Sequence, residues 1–156
     1  MLVSPRRHYA TPPPQDKVSD LPIGDYHAIA DHTMEYLLER LEEVLDEVGD
    51  PSYEVDYSSG VLTLKLGHHG TYVINKQPPN KQIWLSSPHS GPKRYDLSFP
   101  KRDWVYLRDD RSLGELLDDE LGETLDAEGF ELEIGKEVQR TVTEHFKLPP
   151  LVGSLS

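Results

Sequence analysis

Six short runs of alternating apolar and polar residues constrain the fold of this 156-residue chain more than any other feature. Turn-forming segments such as Ser58-Ser59-Gly60 and Gln77-Pro78-Pro79-Asn80 separate the runs. Connections this short join antiparallel neighbours, because a parallel crossover needs about a dozen residues. We therefore predict an antiparallel sheet of about six strands, at Tyr53–Tyr57, Val61–Leu66, Thr71–Lys76, Lys81–Ser86, Lys93–Ser98 and Trp104–Leu107.

The alternation also predicts which side chains share a face of the sheet. When consecutive strands are paired, one face is apolar and contains Leu62, Leu64, Leu66, Tyr72, Ile74, Ile83, Leu85, Tyr95 and Leu97. The opposite face, called the open face below, contains Thr63, Lys65, Asn75, Gln82, Trp84 and Arg94. Amide, guanidinium and indole groups together are typical of an interface anchor, so this face is a candidate docking surface. The alternative is that the C-terminal segment covers it and makes Trp84 part of the core.

Two helices are predicted. Apolar residues recur with helical spacing from Tyr26 to Val48, with Asp25 placed to cap the start and Gly49 to end the helix. Ser112-Leu113-Gly114-Glu115 matches a capping box, which begins the second helix. Each helix has one apolar stripe to bury. The predicted fold is therefore α+β, a two-layer α/β sandwich with both helices on the apolar face of the sheet.

The patterning indicates one domain with two extensions. Residues 1–20 are rich in proline and lack apolar periodicity, so we expect a disordered arm or the remnant of a presequence. Residues 21–126 form the globular domain. Residues 127–156 are an extension of uncertain structure, in which Val138, Val142 and Phe146 have helical spacing but a β-branched content that leaves the assignment open.

One side of the first helix carries a row of carboxylates, called the acidic ridge below: Asp31, Glu35, Glu39, Glu42, Glu43 and Asp46. Glu54 and Asp56 of the first strand could extend it, and the imidazoles of His27 and His32 could contribute. Oxygen ligands on an open surface suit hard cations, and we expect weak binding. The alternative is a solvated acidic face. Like charges four residues apart destabilise a helix, however, and only Arg40 is interleaved.

Composition and motifs exclude several functions. The formal net charge of −12 argues against binding to nucleic acid or to anionic membranes. No apolar run approaches the roughly 20 residues of a membrane span. The chain has no cysteine, so a thiolate metal site or a catalytic thiol is impossible. Sequence motifs of hydrolases, NTPases and dinucleotide-binding enzymes are absent, and His68-His69 is a turn with too little around it for a zinc site.

Four segments in order resemble the frataxin family: SGVLTLKL (Ser59–Leu66), GTYVINKQPPNKQIWLSSPHSGPKRYD (Gly70–Asp96), WVY (Trp104–Tyr106) and SLGELLDDEL (Ser112–Leu121). The resemblance covers roughly Asp25 to Leu125. It implies an α-β-α sandwich of the predicted kind. It also implies a mitochondrial matrix protein, made with a cleaved presequence, that binds iron and promotes iron-sulfur cluster assembly.

The resemblance further implies two sets of site residues. The metal-binding set is Asp25, Asp31, Glu35, Glu39, Glu42, Glu43, Asp46, Glu54 and Asp56. The set for docking on the cysteine desulfurase and the scaffold protein is Asn75, Lys76, Gln77, Asn80, Gln82, Trp84 and Arg94. We expect a non-enzymatic activator that is monomeric, with iron-dependent oligomers left open. The alternative is a ferroxidase and iron store that oxidises and sequesters Fe(II).

Overall fold

A computed structural model of the chain describes residues 19–125 and 132–146. Within them lie three helices and seven strands: α1 (Ile23–Val48), β1 (Tyr53–Ser58), β2 (Val61–Leu66), β3 (Thr71–Gln77), β4 (Gln82–Ser87), β5 (Gly91–Ser98), β6 (Asp103–Tyr106), β7 (Arg111–Ser112), α2 (Leu113–Thr124) and α3 (Ile134–Phe146). None of these helices is long and apolar enough to cross a membrane.

The strands form one sheet in sequential order from β1 to β7, and each neighbouring pair is antiparallel. This confirms the predicted meander. The additional strand β7 has two residues, too few for any alternation to be visible in the sequence. Strand β4 begins one residue later than predicted, because Lys81 adopts a left-handed conformation with φ of 53° after the turn Pro78–Asn80.

The predicted apolar face of the sheet is buried in a single core with all three helices. Helix α3 packs against both α1 and α2, and its side chains Ile134, Val138 and Val142 are fully buried. The stripe that the sequence left unassigned is therefore helical. Because α3 adds to the helical layer, it does not cover the open face, and the alternative in which it does is wrong for the described residues.

Two helix ends confirm the predicted caps and one does not. Gly49 ends α1 in the left-handed conformation, with φ of 77° and its N–H donating to the carbonyl of Leu45. Ser112 and Glu115 form the capping box of α2. Asp25, by contrast, lies in the first turn of α1, because the helix begins earlier, after Pro22, and has no side-chain cap.

Helices α2 and α3 meet at a glycine pair that permits close backbone contact. A Cβ atom on Gly114 would overlap the Cα of Gly135 and lie 2.9 Å from its nitrogen. The carboxylate of Asp118 on α2 also accepts hydrogen bonds from the N–H groups of Ile134 at 2.8 Å and Gly135 at 2.9 Å. An acid of one helix thus satisfies two free N–H groups at the start of the next helix and fixes the position of α3.

Candidate functional site: an acidic ridge and an open sheet face

The acidic ridge lies on the side of α1 that faces solvent. Five of its six carboxylates are exposed, and Asp31 at its N-terminal end is half-buried. Helix α1 packs beside the edge strand β1, whose acids Glu54 and Asp56 are also exposed. The acids of α1 act on a neighbouring side chain of β1: burial raises the pKa of Tyr57, and the charges of Asp31 and Glu35 raise it further.

Several of the predicted metal-binding residues already have a cationic or imidazole partner. Lys76 Nζ lies 2.6 Å from Asp31 Oδ1, and His145 Nε2 lies 3.2 Å from Asp25 Oδ1. Arg40 pairs with Glu43 at 3.1 Å, and Lys65 pairs with Glu54 at 3.7 Å. Within the described residues, the acids of the set that form no ion pair are Glu35, Glu39, Glu42, Asp46 and Asp56.

The ridge is an open surface without a closed metal cage. Across residues 19–125 and 132–146, no group of three His, Asp or Glu side chains is arranged to hold a metal ion. His27 Nδ1 lies 3.1 Å from the ammonium group of Lys76, and His32 is exposed to solvent. A cation at the ridge would take carboxylate oxygens from one side and water from the other, which is the chemistry of weak and exchangeable binding of a hard ion.

The open face is organised in cross-strand rows. Val61, Asn75, Trp84 and Arg94 are successive neighbours across β2, β3, β4 and β5. The guanidinium carbon of Arg94 lies 5.0 Å from the centre of the Trp84 ring, in cation-π contact. A depression of about 210 Å³ beside the indole is lined by Val73, Pro92 and the row members Asn75, Trp84 and Arg94. Trp84 is partly exposed, so its ring is both anchored and accessible.

Two of the predicted docking residues are largely withdrawn from solvent. Lys76 alternates inward with Tyr72 and Ile74, and only 14% of its side chain is exposed, because it turns toward α1 to reach Asp31. Gln82 is on the open face but only 2% exposed. The remaining members of the set are exposed or half-buried on the open face or in the turn at its end: Asn75, Gln77, Asn80, Trp84 and Arg94.

Tyr26 supports this surface from the opposite side of the sheet. Its hydroxyl donates to the carbonyl of Gln82 at 2.7 Å and accepts from the N–H of Gln77 at 3.0 Å. Burial raises the pKa of Tyr26 to about 12, so the hydroxyl stays protonated and able to donate. The contact secures both ends of the turn Pro78–Asn80. Sequence reasoning assigned Tyr26 only to the apolar stripe, because a buried tyrosine gives no signal of its hydrogen-bond partners.

The fold and these two surfaces define a small α+β domain that presents an acidic helix and a bare, aromatic sheet face. Residues 19–127 match the family model described as Frataxin-like domain. The chain belongs to the frataxin family, as the sequence resemblance indicated.

Relatives and a solved structure agree with this assignment. The chain is 46% identical over 114 residues to the mitochondrial frataxin homolog of Schizosaccharomyces pombe, covering 73% of this chain and 70% of the relative. It is 48% identical over 108 residues to the mitochondrial frataxin homolog of Saccharomyces cerevisiae, covering 69% of this chain but only 60% of that relative. Trimeric frataxin from the same yeast, in a ferrous complex, superposes with a TM-score of 0.56 at 45% identity, covering 63% of this chain and 86% of the other.

Proposed function

We propose that this protein is an iron-binding regulator of iron-sulfur cluster assembly in the mitochondrial matrix, which activates the complex of cysteine desulfurase and scaffold protein. The observation that carries this proposal is the presence of two chemically different surfaces on a sheet and a helix layer that share one core. Trp84 stands on a face that the three helices leave bare, and the acidic ridge lies on the solvent side of α1.

The open face has the physical properties of a docking surface. An accessible indole stacked under a guanidinium group combines the residue types that contribute most to binding at protein interfaces. The adjoining depression, lined by Val73 and Pro92, could receive an apolar side chain of the partner. Docking here would bring the amide of Asn75, the cross-strand neighbour of Trp84, against the partner surface.

The acidic ridge supports a second and weaker interaction. Carboxylates of the ridge that form no ion pair attract cations and basic protein surfaces over a distance of about 10 Å at moderate salt. Such attraction mainly raises the rate of association, so the ridge would guide the basic desulfurase while the open face supplies specificity. The same carboxylates would hold iron weakly and release it readily.

Relatives support the metal and the compartment. Both yeast homologs described above are named mitochondrial, and the trimeric yeast frataxin is a ferrous complex. We extend from them the proposals that this chain resides in mitochondria and binds iron. We also propose, from the trimeric yeast structure, that this chain associates into trimers when it binds iron.

The docking role is tested by replacing the indole in the full-length chain. Trp84→Ala should leave the fold intact and lower the stimulated rate of cluster synthesis about tenfold or more, since a central aromatic anchor contributes about 2 kcal/mol. Leu107→Ala is the control, because Leu107 is 58% exposed and follows the end of β6, outside the row of side chains that contains Trp84. An unchanged rate with Trp84→Ala would refute the docking role.

The ferrous complex of the yeast trimer favours one alternative, a ferroxidase and iron store. Anaerobic addition of ferrous iron, followed by measurement of oxygen uptake, separates the two. The comparison is between the unmodified protein and a variant with Glu35→Gln and Glu39→Lys. If the protein oxidises iron no faster than buffer does, the enzymatic alternative fails. A rate that depends on both glutamates would instead support it.

A further inference from the structure

We propose that Asp96 positions Trp84 through Gln82, so that a chain of hydrogen bonds within the sheet sets the orientation of the docking indole. This inference rests on the proposed docking role for its functional consequence, but its structural content is testable separately. Asp96 belongs to neither predicted site, and Gln82 becomes a positioning residue instead of a contact residue.

Three consecutive hydrogen-bonding groups form the chain. Trp84 Nε1 donates to Gln82 Oε1 at 2.7 Å, and Gln82 Nε2 donates to Asp96 Oδ1 and Oδ2, both at 3.2 Å. Gln82 and Asp96 are direct cross-strand neighbours on β4 and β5, and Trp84 is two residues along β4 on the same face. We call this set the Asp96–Gln82–Trp84 relay.

The two ends of the relay determine how the Gln82 amide is oriented. An indole N–H can only donate, so it requires the carbonyl oxygen of the amide. An ionised carboxylate can only accept, so it requires the amide NH2 group. Both requirements are met by the same orientation of Gln82. Without Asp96 the amide could turn its NH2 group toward the indole, where two donors would face each other.

The surroundings of Gln82 leave its side-chain amide few other hydrogen-bond partners. Its side chain is 2% exposed, so water has almost no access to the amide. Its backbone carbonyl accepts from the Tyr26 hydroxyl at 2.7 Å, which fixes the main chain from the helical side. A buried amide costs free energy unless it is hydrogen-bonded, so the relay is held at both ends.

The relay leaves the indole ring free to bind. Because Nε1 is already satisfied within the protein, the partner need not supply an acceptor for it. Arg94 stacks against the ring at 5.0 Å and restricts it from one more direction. A ring that is fixed before binding loses less conformational freedom on docking, which favours affinity.

The test uses a polarity exchange in the full-length chain. Asp96→Asn keeps the size of the side chain but can donate as well as accept, so it no longer dictates the amide orientation. Gln82→Glu alone places two carboxylates side by side. Gln82→Glu combined with Asp96→Asn restores the polarity, because the new amide at position 96 donates to the new carboxylate at position 82, which accepts from the indole. Glu123→Gln, an exposed change on α2, is the charge-matched control.

The direct readout is the indole N–H resonance of Trp84 in proton-nitrogen NMR spectra. The chain has two tryptophans, and the other, Trp104, donates to Thr33 in the core at 3.1 Å and serves as the internal reference. We expect Asp96→Asn to shift the Trp84 resonance and speed its exchange with solvent, and we expect the combined substitution to reverse both. A Trp84 resonance that does not respond to Asp96→Asn overturns the relay.

The functional readout is the protein concentration needed for half-maximal activation of cluster synthesis. Loss of the fixed orientation should raise it about fivefold for Asp96→Asn, the effect of one hydrogen bond, and the combined substitution should recover it. If the resonance responds but activation does not, while Trp84→Ala is impaired, the functional part of the inference is wrong. If Trp84→Ala is also active, the proposed docking role fails, and the NMR result still decides the relay.

Discussion

Replacing Asp103 by asparagine should stabilise this protein, and the gain should grow with pH. Asp103 is the first residue of β6 and is 8% exposed. Burial raises the pKa of its carboxyl group from 3.8 to about 7, against the opposing effects of a hydrogen bond from the Trp104 N–H and the charge of Lys101, while Glu115 adds to the increase. Folding therefore disfavours the ionised form of this side chain.

The size of the effect follows from the difference in pKa. A rise from 3.8 to about 7 is about three pH units, and each unit corresponds to about 1.4 kcal/mol. Because the folded pKa is raised, the folded protein binds the proton more tightly than the unfolded chain does. The stability associated with the protonated group is present below the unfolded pKa and is lost as the pH rises through about 7. Ionised Asp103 thus costs about 4 kcal/mol under alkaline conditions.

Asparagine tests this reasoning because it keeps the acceptor oxygen that Trp104 N–H reaches at 2.9 Å and removes the charge. We expect Asp103→Asn to change the free energy of unfolding little near pH 4 and to raise it by up to about 4 kcal/mol near pH 8. The midpoint of thermal unfolding should rise by about 10 °C, at about 3 °C per kcal/mol for a chain of this size.

The assay is urea unfolding of both proteins at pH values from about 4.5 to about 8, with Glu123→Gln as a surface control. Other titrating groups contribute equally to the two proteins, so the difference between their curves isolates position 103. The reasoning is refuted if the stabilities of the two proteins run parallel over this range. Equal gains from the exposed control would also refute it.

Three further substitutions test other contacts. Gly114→Ala should force α2 away from the backbone of α3 and lower the free energy of unfolding by about 1–3 kcal/mol. In the control Gly122→Ala, on the same helix, the new Cβ meets no atom within 4 Å, so this change should be neutral or stabilising. Urea unfolding compares the two variants. Asp118→Ala should lower the free energy of unfolding by about 1–2 kcal/mol and speed amide hydrogen exchange in α3. An unchanged exchange rate would contradict the capping role of Asp118. Lys76→Met should free Asp31 and tighten ferrous binding several-fold by calorimetry, and an unchanged affinity would show that Asp31 takes no part.

The sheet could be predicted because local alternation and burial coincide there. Every residue that the sequence assigned to the apolar face is buried, since a one-residue slip would move the whole set to solvent. The capping box at Ser112 was equally visible, because all of its hydrogen bonds lie within four residues. Helix α3 could only be suggested: its burial depends on the close approach at Gly114, which lies in another helix.

The candidate sites also depend on contacts between residues that are distant in sequence. Alternation alone assigns Lys76 to the inner face, whereas the family resemblance groups it with Asn75 and Gln77 in the docking set. Its partner Asp31 is 45 residues away, and the pairing of Asp25 with His145 spans 120 residues. Contacts at such separations leave no periodic signal, so the sequence showed where the acids lie but not which of them are already paired.

The order of the strands has a consequence for how the chain acquires its structure as it is made. Each strand pairs with the next one in sequence, so the sheet can grow hairpin by hairpin behind the point of emergence. Helix α1, the first element, cannot be completed in this way, because its packing partner α3 is the last described element. Its apolar stripe stays incompletely covered until residue 146 is available, and over that interval the exposed apolar surface makes the chain prone to aggregation.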